Sequence, residues 1–193
     1  MKINDVKSPL DILVYLDDNI KYGWVGTDGK KRIQSMDGFR TYYKTNSVKD
    51  AIKNGVGTCI EQVYITKFFL DKLNIKNEMF CTRVFEDETF NDNKQPERMH
   101  CFIIFYLNNK VFQIEHANLE EKGIYIYDNK EDALSKISEI YEKMTEEEYL
   151  KKGLKTDGKL RKLTEFYDVK EGLSFKDFNL YINSLDSKRR DKV

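Results

Sequence analysis

Cysteine, proline, histidine and tryptophan are all scarce in this 193-residue chain, at three, two, two and one residues. Each scarcity excludes something. Cys59, Cys81 and Cys101 are odd in number and widely spaced, so they form neither a disulfide framework nor a CxxC metal site. With two prolines, no low-complexity stretch and no internal repeat, the chain offers no linker, and one domain is the expectation. An excess of one charge is missing too. Lys+Arg and Asp+Glu stand at 33 each, so no overall field draws the chain to nucleic acid or to an anionic membrane. No apolar run approaches the roughly 18 residues of a membrane span. Met1 to Asp5 is polar and lacks the apolar stretch of a signal peptide. A cytoplasmic protein with no membrane or nucleic-acid partner is therefore expected. The only basic cluster, Lys188, Arg189, Arg190 and Lys192, reads as a flexible tail over 187–193. The remainder, 40% hydrophobic and 34% charged, is ordinary for a globular chain long enough to bury a core.

Punctuation and periodicity divide the chain. Ser8-Pro9 opens a helix over 9–21, followed by a loop-rich arm over 22–46 with short extended pieces between glycines and aromatics. Together, 1–46 form an N-terminal helix and arm. A core follows over 47–128. It starts with a short helix from Ser47 to Asn54-Gly55. Next, Ile60, Val63, Tyr64, Phe68, Leu70 and Leu73 recur at helical spacing over 59–74. A strand is expected at 78–86, a polar loop at 87–98, strands at 99–107 and 110–117, and a third short strand at 123–127. Residues 129–186 read as a helical C-terminal extension. It holds an amphipathic stretch at 130–144, helix and loop over 145–170, and a last helix capped by Ser174.

Two places carry chemistry. In Gly55-Val56-Gly57-Thr58-Cys59 a glycine-rich turn becomes a helix. A helix N-terminus presents unpaired N–H groups and a positive dipole end, which favours a thiolate and can supply part of an oxyanion hole. Cys59 is thus a candidate nucleophile; the alternative is a cysteine packed as a small hydrophobe. The second place is the hairpin. With Asn108-Asn109 as a two-residue turn, Leu107 pairs with Lys110, and paired residue numbers sum to 217. His100, Phe102, Glu115 and Ala117 then share one face, with His100 and Glu115 as diagonal neighbours within reach of a hydrogen bond. Such a bond would fix the imidazole tautomer and stabilise an imidazolium. The same register sends His116 to the other face, opposite Cys101, as a structural residue. A three-residue turn would part His100 from Glu115. Zinc is a weaker option: Cys59, Cys101, His100 and His116 are suitable ligand types, yet no pair has a zinc-like spacing. Gly55-Val56-Gly57 also lacks the residues of a phosphate-binding loop.

The segments Gly55-Val56-Gly57-Thr58-Cys59-Ile60-Glu61-Gln62, Met99-His100-Cys101-Phe102 and Val111-Phe112-Gln113-Ile114-Glu115-His116 resemble the transglutaminase-like branch of the papain-like superfamily, over about residues 47–120. Tyr22-Gly23-Trp24-Val25 is similar to an upstream segment of bacterial members. The resemblance implies an α+β fold in which a nucleophile helix packs on a small antiparallel sheet, with helical additions at both ends. It implies a catalytic triad of Cys59, His100 and Glu115 and a thioester intermediate, with no cofactor and no metal. One departure stands out: the family usually has Asp at the third position, and here it is Glu115. Trp24 and Gln34 are upstream oxyanion-donor candidates by residue type. The expected function is a cysteine hydrolase or acyltransferase acting on a peptide or protein amide, as protease, deamidase or transglutaminase-type enzyme. The alternative is a catalytically silent interaction module that keeps the fold and binds through the aromatic arm or the helical C-terminus.

Overall fold

The structure, a computed structural model, describes residues 1–86, 94–155 and 158–190, the last four of these in backbone only. Ser8 accepts from the Asp11 N–H at 3.3 Å, Pro9 takes the first helical position, and α1 (Pro9–Asn19) buries Ile12, Tyr15 and Leu16. The segment expected as a loop-rich arm is more ordered than its glycines suggest. It holds β1 (Lys21–Val25), β2 (Lys31–Ile33) and the short helix α2 (Phe39–Tyr42). Its aromatics are core residues: Trp24 is fully buried, with Phe39 and Tyr43 edge-on at 5.5 and 6.2 Å between ring centroids. Helix α3 (Val48–Asn54) is capped by Ser47 and stopped by Gly55, whose φ of 65° lies in the left-handed region that glycine adopts without strain. Strand β3 (Val56–Gly57) then pairs in parallel with β1, with Tyr22 opposite Gly57, and leads into α4 (Cys59–Lys72). Strands β2, β1 and β3 form a small sheet in that order.

The main sheet is antiparallel and comprises β4 (Asn77–Phe85), β5 (Arg98–Leu107), β6 (Lys110–Glu115), β7 (Gly123–Tyr127) and β8 (Leu160–Phe166). Helix α5 (Lys130–Lys151) lies between β7 and β8 in the chain, and α6 (Phe175–Arg190) closes it. The strand order is β7-β6-β5-β4-β8. One face packs on α4, α1 and α6 through Met79, Cys81, Cys101, Ile103, Phe105 and Phe166. The other packs on α5 through Phe80, Phe102, Ile104 and Val111. A sheet covered on both faces needs apolar residues at odd and even positions alike, which explains the unbroken run Cys101-Phe102-Ile103-Ile104-Phe105. The fold is mixed α+β, and among the described residues no helix is long and apolar enough to cross a membrane.

Several boundaries differ from the sequence expectations. The stretch read as a helical extension contributes a strand, because β8 pairs with β4 from Met79↔Phe166 to Phe85↔Leu160 and completes the sheet. Its period-2 signal is hidden by charge. Arg161, Glu165 and Thr164 are each partnered, at Glu146 (2.9 Å), Lys130 (3.2 Å) and Arg83 (2.8 Å), so polar side chains occupy a covered strand. Helix α5 runs on past Met144 to Lys151, and β6 stops at Glu115 instead of 117. The polar loop expected at 87–98 falls outside the described residues over 87–93, and Arg98 already belongs to β5. Residues 187–190, expected in the flexible basic tail, continue α6 instead, and 191–193 lie outside the described residues.

Candidate active site

The turn ahead of α4 places Cys59. A Cβ on Gly57 would lie 2.9 Å from the Glu61 Cβ, so only glycine lets β3 approach the helix this closely. Thr58 is the N-cap, and its hydroxyl accepts from the Ile60 N–H at 3.3 Å. Glu61 folds back to accept from the Thr58 N–H (2.9 Å) and hydroxyl (2.6 Å), completing a capping box. The same carboxyl, 1% exposed, also accepts from the Tyr43 hydroxyl (2.7 Å) and the Asn46 N–H (3.0 Å). Burial lifts the Glu61 carboxyl above its ordinary range, against the pull of these donors. The result is a rigid helix start with Cys59 at its first position, where the backbone N–H has no intrahelical acceptor.

The hairpin supplies the other two residues. Asn108 and Asn109 have φ of 51° and 60°, and the pairs from Leu107↔Lys110 to Ile103↔Ile114 follow the two-residue turn. Glu115 Oε2 lies 2.8 Å from His100 Nε2. Glu115 is held in turn by the Asn118 N–H on Oε1 (2.9 Å) and by Gln113 Nε2 on Oε2 (3.4 Å). The Tyr127 hydroxyl fixes Gln113 at 2.9 Å. The Tyr141 ring of α5 stacks on His100 at 5.5 Å and 18°. With Nε2 committed to Glu115, Nδ1 is the ring nitrogen left for Cys59, whose thiol and the ring shift each other's charge.

Charge on these groups follows from that arrangement. The Cys101 thiol, which lines the same small void as Cys59, and the His100 ring hold the Cys59 thiol well below its ordinary range, although burial opposes them. Burial presses His100 toward neutrality, but the Glu115 carboxylate and the Cys59 sulfur outweigh it and carry the imidazole well above its ordinary value. The two shifts together favour a thiolate–imidazolium pair. Cys59, 7% exposed, lines a cavity of about 560 Å³ whose walls include Tyr22, Phe39, Arg40, Arg98 and Phe175.

His116 stands apart from this group. Its Nδ1 lies 2.7 Å from Gln62 Oε1 and its Nε2 3.1 Å from Asp17 Oδ1, while Gln62 Nε2 donates to the Gly57 carbonyl at 2.9 Å. It braces the turn before Cys59 from behind. The upstream donor candidates do not face the cavity: Trp24 Nε1 is spent on the Ser35 carbonyl at 2.9 Å, and Gln34 is exposed with φ of 52°. Tyr22 takes that place. It lies two residues from Trp24 on the same face of β1, and its register opposite Gly57 brings it to the cavity wall beside Cys59. Burial, and then the charge of Cys59, keep its hydroxyl protonated. The sequence assigns no role to Tyr22, Tyr141 or Gln113, and only the assembly of β1, α5 and β6 brings them to the site, Tyr22 beside Cys59, Tyr141 on the His100 ring and Gln113 on Glu115. Among the described residues no group of three or more His, Cys, Asp and Glu side chains is placed to hold a metal ion. No family model, no curated protein and no solved structure matches the chain.

Proposed function

We propose that the protein is a cysteine-nucleophile hydrolase or acyltransferase that acts on a peptide or protein amide, in a domain of transglutaminase-like type. The observation that carries this reading is His100, bonded through Nε2 to Glu115 at 2.8 Å and electrostatically linked to the Cys59 thiol, which sits at a cavity wall. In the proposed mechanism the Cys59 thiolate attacks the amide carbonyl. The developing oxyanion is met by the free Cys59 N–H and the Tyr22 hydroxyl. His100 delivers its Nδ1 proton to the departing amine, leaving a thioester, and Glu115 steadies the ring throughout. Water then releases the acyl group in proteolysis or deamidation, or an amine accepts it in cross-linking. Two Arg and two Glu among the lining residues, Arg40, Arg98, Glu97 and Glu148, balance one another, which suits a neutral amide.

Thiol labelling tests the reading. Iodoacetamide should modify Cys59 well below pH 8, ahead of Cys81 and Cys101, and Cys59→Ala should abolish this fast phase. Slow and equal labelling of all three thiols would favour a silent interaction module instead.

A further inference from the structure

The mechanism leaves two cysteines unused, and they are not scattered. Cys101 follows His100 in β5 but points to the opposite face, toward α4. There it shares the lining of a small void with Cys59 on one side and adjoins Cys81 on the other. Cys81 is the register partner of Cys101 across β4 and β5. All three thiols are free. They form a row that starts at the cavity and runs inward: Cys59 is 7% exposed, Cys101 1% and Cys81 0%. Cys59 and Cys101 line a common void of about 10 Å³ together with Gln62 and His116.

We propose that Cys101 is the resolving thiol of Cys59, so that the pair forms a reversible oxidation site at which a hydroperoxide installs a Cys59–Cys101 disulfide. The proposal rests on the reading of Cys59 as an activated thiolate. Of the three cysteines, only Cys59 lines the larger cavity. In the first step the Cys59 sulfur attacks the peroxide: an S–O bond forms, the O–O bond breaks, and the departing oxygen leaves as water or an alcohol with the proton of His100. In the second step the Cys101 sulfur attacks the sulfenic sulfur: the S–S bond forms, the S–O bond breaks, and the hydroxyl leaves as water with the Cys101 proton. Two thiols lose two electrons and the hydroperoxide gains them. The neighbouring thiol thus intercepts the sulfenic acid before a second peroxide converts it to the irreversible sulfinic acid. The nucleophile is silenced and preserved together, and a dithiol reductant restores it.

The test uses the full chain, reduced, then treated with hydrogen peroxide and mapped by mass spectrometry without reduction. The expected product is a Cys59–Cys101 linked peptide pair lacking two hydrogens. Fast iodoacetamide labelling of Cys59 should fall at least about tenfold and return with dithiothreitol. In Cys101→Ser, which keeps a donor beside the Cys59 sulfur but cannot form the disulfide, the same treatment should drive Cys59 to sulfinic acid, and dithiothreitol should not recover its labelling. The wild-type arm stands without that variant should it fail to fold. Sulfinic acid on wild-type Cys59 with no linked peptide, or a Cys81–Cys101 link in its place, would overturn the proposal. Slow labelling of Cys59 in the untreated protein would instead sink the nucleophile reading beneath it, so the two failures are distinct.

Discussion

His100 Nε2 and Glu115 Oε2 sit 2.8 Å apart across the β5–β6 hairpin, with Glu115 5% exposed. In Glu115→Gln the shape is kept and the charge lost. The imidazolium then loses its partner, and acylation of Cys59 by an activated ester should slow by roughly 10²–10³-fold. The onset of thiol labelling should move to higher pH. An unchanged labelling profile would show that Glu115 does not act through His100.

The pH dependence follows from the two opposed shifts. Cys59 ionises below its ordinary range and His100 loses its proton above its own, so the ion pair exists between those two pKa values. Reactivity should rise as pH climbs through the lowered thiol value and hold across neutrality. Amide turnover, in which His100 gives up its proton to the leaving amine, should decline only as His100 deprotonates, giving a bell-shaped profile wider than unperturbed Cys and His would allow. Iodoacetamide alkylation needs the thiolate alone, so its rates across pH, read at Cys59, check the rising limb; an onset near the usual thiol range would contradict it.

Tyr22→Phe separates oxyanion support from thiol activation. Alkylation forms no oxyanion, so iodoacetamide labelling should barely change. Acylation by an ester passes through a tetrahedral intermediate and should slow by about 10–10²-fold. Equal effects on both reactions would place Tyr22 among the packing residues only.

Glu61 holds the start of α4, and in Glu61→Ala the Tyr43 hydroxyl and the Thr58 donors lose their acceptor inside the core. A loss of about 2–4 kcal/mol is expected, read as a lower melting temperature, with Cys59 labelling slowed as the helix start frays. The native state also binds the Glu61 proton more tightly than the unfolded chain does, since burial raises this carboxyl. Its contribution is therefore complete below the unfolded carboxyl pKa and is lost as pH rises through the raised native one. In Glu61→Ala that component of the pH–stability curve should disappear.

Much of the frame was legible from local signals. Ser8, Ser47 and Ser174 mark helix starts because their hydroxyls satisfy backbone N–H groups within three residues, as each does here. The hairpin register was legible because two asparagines at positive φ specify the turn, and strand alternation then assigns every side chain to a face. That pairing alone places His100 with Glu115 and sends His116 elsewhere. Strand β8 was not legible, since Arg161, Lys162 and Glu165 break the apolar rhythm, and only β4, α5 and α6 around it account for burying such a segment.

The sequence by itself therefore determined the parts of the site that lie close along the chain: Cys59 at a helix start, and His100 facing Glu115 across a two-residue turn. Tertiary structure decided what surrounds them. Tyr22 in place of Trp24 at the cavity wall, Tyr141 stacked on His100, and Cys101 against the Cys59 sulfur all depend on elements packed from distant stretches of the chain. Helix and turn signals act over a few residues, whereas the environment that sets a buried thiol's charge comes from whichever side chains the fold brings within hydrogen-bonding reach.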